Sequence, residues 1–361
     1  MTSPTPVVPL TAARFGGAVI EPVPFTTSDG VELGLCRIGG HSGGPAVLLI
    51  HGLTVSSEMF ALSETRNLVD SLLDAGYEPW LLDWRGSRAL PYNEGRVRYT
   101  FDDVALYDIP EAVSYVRGRI GDRKLFVVSH CVGAMSLGMS MAAGLVPGLA
   151  GVVAHSVFLT PKLEPKARLR VHLGCELLRS RFTRIPVDIR QAGLRSRYTP
   201  IFALASLRAD CPDPTCQMLH NSAWGTGASL FEHEKLAKRT HDRLAELFGP
   251  MPTWTLPHLR RSELAHAVVR WNTRDHRYDR LPENALDSAD RIDTPILLLS
   301  GSENKLWRDS NRLCHEILAR RQPRLDVRYT EIPGYGHMDA FLGRGAALDV
   351  FGRIIDFLDE H

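Results

Sequence analysis

The run AVLLIHG, Ala46–Gly52, constrains this chain most: an unbroken apolar stretch closed by a glycine reads as a strand buried on both faces, the kind found inside a parallel sheet. Similar runs recur. EPWLLDW predicts a strand ending near Asp83, KLFVVSH one from Lys124, LAGVVAHSVF one from Leu149, TPILLLSG one over Thr294–Gly301, and LDVRYTEI a last one. Shorter β-prone runs come earlier, near Gly17–Pro24 and Val31–Arg37. Between them, Met59–Leu73, Asp103–Arg119 and Arg308–Arg320 carry helical periodicity, the residues after Cys131 are apolar at helical spacing, and the chain closes on a helix. Strands alternating with helices require crossover connections, and so an α/β fold with a mostly parallel sheet covered on both faces.

The alternation stops after Phe158. From about Thr160 to Ala289 the chain is richer in charge, histidine and aromatics, and long apolar strands vanish until Thr294. One core with a large, mostly helical insertion accounts for this: residues 1–159 and 290–361 form the core, and 160–289 an inserted cap. An insertion between two strands is placed to cover the carboxyl ends of the sheet, where such sheets bind ligands. The Pro-rich first residues read as a loose start.

With 361 residues, 44% of them hydrophobic, the chain is long enough for such a core plus cap. Its 42 basic and 41 acidic residues leave a net charge of +1, so no nucleic-acid partner and no anionic membrane partner is expected. DHRYDR, Asp275–Arg280, mixes signs and reads as exposed cap surface. No segment approaches the roughly 20 apolar residues that cross a bilayer, the N-terminus lacks a secretory pattern, and the cysteines are scattered. A reduced, cytoplasmic protein is the expectation. No cofactor is expected: a phosphate loop is absent, and GGHSGG reads as a turn. No metal is expected either. Cys211 and Cys216 of CPDPTC, with His220 and His233 downstream, are zinc-binding types, but their spacing reads first as a cap loop or a disulfide.

Ser129-His130-Cys131-Val132-Gly133 lies between a strand and a helix. Such a turn projects its middle residue if the flanking positions are small, a pattern here written S-x-C-x-G. Cys131 is the candidate nucleophile, because a thiolate at a helix N-terminus beside a histidine attacks acyl carbons with little help. The opposing reading is an inert core cysteine. His337, in the glycine-rich PGYGHMD after the last strand, is the candidate base and acid. His130 reads as support. In GSENKLW, Asn304 takes the position expected of an orienting group, with Glu303 the neighbouring alternative. The backbone N–H groups of Leu53 and Val132 are the candidate oxyanion donors. Thr54, Trp84 and Arg85 are candidate rim residues; Asp83 pairing with Arg85 is the preferred reading of that loop, substrate recognition by Arg85 the other.

These residues resemble the α/β-hydrolase superfamily over nearly all of Ala46–His361. SSEMF, WLLDWRGS, HCVG, CPDPTC, GSEN and PGYGHMD look more closely like the hydrolase-like modules associated with cholesterol-oxidase-like flavoenzymes, and HCVG also resembles the cysteine box of polyhydroxyalkanoate synthases; dienelactone hydrolases use a related Cys-His-Asp set. The resemblance implies an α/β-hydrolase fold with an inserted cap. It also makes acyl chemistry an expectation, and with the residues above this becomes cysteine-dependent acyl hydrolysis or acyl transfer, through an acyl-cysteine, on an ester, lactone or thioester; the apolar and aromatic insertion favours a small hydrophobic substrate, carrier- or coenzyme-linked in one version. The rival expectations are an inactive small-molecule binder on the same scaffold and an enzyme that makes or breaks a C–C bond.

Overall fold

A computed structural model describes residues 18–39, 43–90, 98–188, 198–206, 211–221 and 229–361. The Pro-rich start and the centre of GGHSGG lie outside the described residues. The apolar run Ala46–Ile50 sits in the middle of a sheet, with every residue shut off from solvent. Among the described residues there are ten strands: β1 (Val19–Thr26), β2 (Glu32–Gly39), β3 (Ala46–Ile50), β4 (Glu78–Asp83), β5 (Leu125–His130), β6 (Gly151–His155), β7 (Arg184–Ile185), β8 (Met251–Pro252), β9 (Ile296–Gly301) and β10 (Val327–Ile332). Eight form one sheet in the order β1-β2-β4-β3-β5-β6-β9-β10, and β7 pairs with β8 apart from it. From β4 to β10 all pairings are parallel; β1 and β2 join antiparallel at one edge. The prolines of β1, Pro22 and Pro24, stand two residues apart opposite Cys36 and Gly34.

The helices follow from local chemistry. The single helix expected over Met59–Leu73 is two pieces: a 3₁₀ turn at Ser57–Phe60, and α1 (Leu68–Asp74). Asn67 and Asp70 cap α1 reciprocally, each side chain taking the other's backbone N–H, so the helix starts there. α2 (Ile109–Ile120) is preceded by a π-helical turn at Val104–Asp108. α3 (Val132–Ala142) buries every one of its residues, which is why its sequence is apolar all round.

The insertion between β6 and β9 is helical, with segments Pro165–Arg181, Thr199–Ser206, Pro214–Asn221, Lys238–Asp242 and Leu256–Leu264. Its main-chain bonds tie it to the loops at the carboxyl ends of the sheet. Gly249 N–H donates to Thr54 O (2.6 Å), Val268 N–H to Leu159 O (2.9 Å), and Met338 N–H to Leu230 O (2.8 Å). The molecule thus has an α/β-hydrolase fold with a mostly parallel sheet and a helical cap.

Two glycines allow close backbone approaches at the carboxyl end of the sheet. A Cβ on Gly133 would lie 2.3 Å from the His51 carbonyl oxygen, and one on Gly301 would lie 2.0 Å from the Tyr335 carbonyl oxygen. The first lets α3 close on the β3 turn; the second lets the His337 loop cross the end of β9. Because the obstacle at Gly133 is backbone, it has little room to yield. Gly133→Ala is expected to lower the urea-unfolding free energy by about 1–3 kcal/mol or more; an unchanged midpoint would show that α3 shifts freely.

Candidate active site

Cys131 stands between β5 and α3 with φ 55° and ψ −124°, a left-handed turn conformation that costs a non-glycine residue on the order of 1–3 kcal/mol. Small flanks make the turn feasible: Ser129 is buried and donates its hydroxyl to Val153 O (3.2 Å), and Gly133 clears the other side. The N–H groups of Val132 and Leu53 face the Cys131 sulfur, as does the Trp307 side chain. His337 arrives on its loop with Nδ1 2.7 Å from Ser156 Oγ. Asn304 is buried; its Nδ2 donates to the same Ser156 oxygen (2.9 Å), while its Oδ1 accepts from the Leu306 and Trp307 N–H groups. Asn304 therefore reaches His337 through a serine that sequence reasoning passed over, and Glu303 points to solvent beside Ser302. The only sign of Ser156 in the sequence is its place at the end of a strand.

The flanking residues are equally committed. His130 Nδ1 lies 2.9 Å from His155 Nδ1 and its Nε2 3.3 Å from Met338 Sδ. Thr54 is buried with φ 68°. Trp84 is buried, stacks on His51 and donates its indole N–H to His51 O (2.9 Å). Arg85 does not pair with Asp83 as expected. Its guanidinium is held by Asp108 (2.6 Å) and Asp29 (2.8 Å), because the loop turns it away from Asp83 toward α2.

Desolvation dominates the electrostatics. Burial pushes the Cys131 thiol up to about 12, against the lowering effect of the Val132 and Leu53 N–H groups. Burial brings His155 and His337 down to about 3, with His155 adding to the effect on His337, and takes His130 well below the ordinary range. The thiol and these three imidazoles are neutral at pH 7.

A second cluster lies at the adjoining ends of β3 and β4. Ser57 donates its hydroxyl to Asp83 Oδ2 (2.9 Å) and its N–H to Asp83 Oδ1 (2.9 Å), and Ser87 donates to the same carboxylate (2.6 Å). His51 Nε2 lies 3.6 Å from Asp83 Oδ1. Serine, aspartate and histidine are thus gathered in one buried corner, with the carboxylate between the other two. His51 Nδ1 lies 2.7 Å from the Gly52 carbonyl, which only accepts, so Nδ1 carries the hydrogen and the Nε2 lone pair faces Asp83. Sequence reasoning used Ser57 only as part of a longer matching stretch, and Asp83 only as a strand end and a partner for Arg85.

The α/β hydrolase family model matches residues 47–348, and the chain belongs to that family. It is similar to triacylglycerol lipase 1 of Arabidopsis thaliana, 31% identical over 150 residues that cover 37% of this chain and 36% of the relative. It is also similar to lipase member K of Mus musculus, 23% identical over 370 residues covering 92% of this chain and 86% of that one. Among solved structures, a thermostable carboxyl esterase from Bacillus coagulans superposes with TM-score 0.63 at 14% identity, covering 95% and 98% of the two chains, a likeness of fold. The matched region of the plant lipase is about a third of its length.

These findings correct two expectations. The relatives are lipases and esterases, not modules associated with cholesterol-oxidase-like flavoenzymes and not polyhydroxyalkanoate synthases. HCVG misled because a strand-turn-helix elbow selects small flanking residues whatever atom it projects. The cysteine-dependent, acyl-cysteine reading is overturned as well. The Cys131 thiol is closed off and held protonated, whereas a buried Ser57–Asp83–His51 set supplies serine-hydrolase residue types.

The buried imidazoles set an acid dependence. Their folded pKa values lie below the usual 6.5, so the unfolded chain binds protons that the fold refuses, and stability is lost as pH falls from about 6.5 toward 3. Each ring contributes up to about 1.4 kcal/mol per pH unit. Asp339, raised to about 6 by burial, works in the opposite sense, as do Asp102 and Asp108, also raised by burial; but His51 and His258 are lowered as well, so five rings stand against three carboxyls. The urea midpoint is expected to fall between pH 7 and pH 5, and to fall less steeply in His155→Phe; a flat profile would contradict the assigned neutral rings.

Proposed function

We propose that this chain hydrolyses carboxylic esters of apolar acids through the Ser57 hydroxyl. The observation that carries the reading is the Ser57–Asp83 hydrogen bond with His51 behind it. Ser57 Oγ attacks the ester carbonyl carbon as its proton passes to Asp83, whose far side faces the unprotonated His51 Nε2. That contact, too long for a hydrogen bond at rest, shortens as the proton moves on. The tetrahedral intermediate collapses, the C–O bond to the alcohol breaks, and the departing alkoxide takes up the proton that Ser57 gave to the Asp83–His51 pair. Water then cleaves the acyl-Ser57 ester, releasing the acid and restoring the hydroxyl.

In the same reading Leu53 and Val132 supply backbone N–H donors to the carbonyl oxygen, and neutral His337, steadied by Ser156 and Asn304, moves the leaving-group proton. Residues 160–289 form the cap over this end of the sheet. Support for an apolar substrate comes from two sides. The similar proteins include a triacylglycerol lipase and a carboxyl esterase. The cap helix Pro165–Arg181 also exposes Leu169, Leu173 and Leu177, four residues apart and so on one helical face, at 60%, 73% and 55%.

A fluorophosphonate probe, followed by peptide mass spectrometry, is expected to modify Ser57. Ser57→Ala should lose the adduct and lower kcat/KM for a short p-nitrophenyl ester by at least about a thousand-fold. An adduct on another residue, or turnover that survives the substitution, would overturn the assignment; ligand binding with neither adduct nor turnover would leave a scaffold without ester chemistry. A triple change of Leu169, Leu173 and Leu177 to Ser should raise KM roughly ten-fold for an emulsified ester and leave a dissolved one unaffected, since about 1.4 kcal/mol of lost apolar contact is a factor of ten. Equal effects on both would remove the helix from substrate contact.

A further inference from the structure

The cap gathers a second set of chemically active side chains. Cys211 precedes the helix Pro214–Asn221, Cys216 lies within it, His233 opens a 3₁₀ turn at His233–Lys235, and His241 sits in the helix Lys238–Asp242. One ligand atom from each falls within 4.8 Å of all the others. Cys216 Sγ is 3.1 Å from His233 Nε2, and Cys211 Sγ is 3.5 Å from His241 Nε2. No disulfide joins the cysteines. Sequence spacing alone, C-x4-C-x16-H-x7-H, gives little reason to pair His241 with the others; the packing of two short helices does.

We propose that Cys211, Cys216, His233 and His241 bind one zinc ion that fixes the cap segment bracing the loop that carries His337. Zinc takes four nitrogen and sulfur ligands in a tetrahedron, with bonds of about 2.3 Å to sulfur and about 2.0–2.1 Å to nitrogen, so ligand atoms stand roughly 3.3–3.8 Å apart. The two sulfur–nitrogen distances need only small adjustments to meet that geometry. The donor set also balances charge: two thiols give up their protons to solvent, and two thiolates with two neutral imidazoles neutralise the dication. Thiolate and imidazole favour zinc over magnesium or calcium, which take oxygen.

The surroundings resemble those that orient metal-bound thiolates. Asp213 N–H donates to Cys211 Sγ (3.5 Å), Cys216 N–H donates to Asp213 Oδ1 (2.8 Å), and Gln217 Nε2 donates to Cys211 O (2.9 Å). The consequence reaches the sheet. Next to His233, Glu232 N–H donates to Asp339 Oδ2 (3.4 Å) and its carboxylate pairs with Lys305 (2.9 Å), while Leu230 O accepts from Met338 N–H. A metal at the four ligands therefore holds the segment that braces residues 336–339.

The full-length chain, produced in zinc-supplemented medium and purified anaerobically, is expected to carry about one zinc per chain by elemental mass spectrometry. Exchange for cobalt(II) should give thiolate-to-cobalt charge-transfer absorption and the intense visible bands of a tetrahedral ion. A Cys216→Ser, His241→Ala double variant should lose both signals, and a chelator should lower the melting temperature until zinc is added back. A chain that stays metal-free with zinc present, a cobalt spectrum of six-coordinate type, or zinc content unchanged in the double variant would overturn the site. So would a Cys211–Cys216 disulfide in the anaerobic protein. The cobalt spectrum of the unaltered chain decides the matter even if the double variant fails to fold.

Discussion

The missing side chain at Gly133 lets the first turn of α3 close on the His51 carbonyl, and the carboxyl end of the sheet is positioned from that contact. The same carbonyl accepts the Trp84 indole N–H, so one peptide group fixes the ends of β3 and β4 and the start of α3 together. Two backbone N–H groups far apart in sequence, those of Leu53 and Val132, thereby come to face one point. A helix displaced by the width of a methyl group would separate them, and no side chain could restore the arrangement. The precision of the site is a property of backbone packing before it is one of side-chain chemistry.

Asp83 performs the matching task on the other side of that peptide. Its carboxylate gathers the Ser57 N–H and hydroxyl and the Ser87 hydroxyl, and it faces His51. Hydrogen bonds to a charged acceptor contribute about 1.5–3 kcal/mol each, so this one residue ties the loop after β3 to the loop after β4. Arg85, next but one in the chain, is spent elsewhere: buried between Asp108 and Asp29, it joins the loop to α2 and to the turn after β1. These two charges, at and just beyond the end of β4, thus serve opposite faces, one toward the site and one toward the scaffold.

The fold was legible because apolar strands such as Ala46–Ile50 and Ile296–Gly301 are uniform runs bounded by glycine, and because the loss of that rhythm after Phe158 marks the cap. Details that depend on a single cap or turn were not: the capping pair Asn67 and Asp70 divides what reads as one helix. The site was less legible. Elbow spacing singled out Cys131, and chain order and loop position His337 and Asn304, but such signs say nothing of solvation, and desolvation is what holds the Cys131 thiol protonated. Ser156, between His337 and Asn304, and His241, beside Cys211, owe their positions to contacts across long stretches of chain, for which a single sequence offers no periodic sign.

The register of β1 has a bearing on how the chain behaves in company. Pro22 and Pro24, two residues apart on an outermost strand, point their ring nitrogens the same way, and the intact pairing with β2 requires that way to be outward. An incoming strand would find acceptors along that rim but no hydrogen to accept at two successive outward positions. Sheet extension by a second chain is thus opposed at this edge by covalent structure rather than by charge, a protection that salt cannot screen.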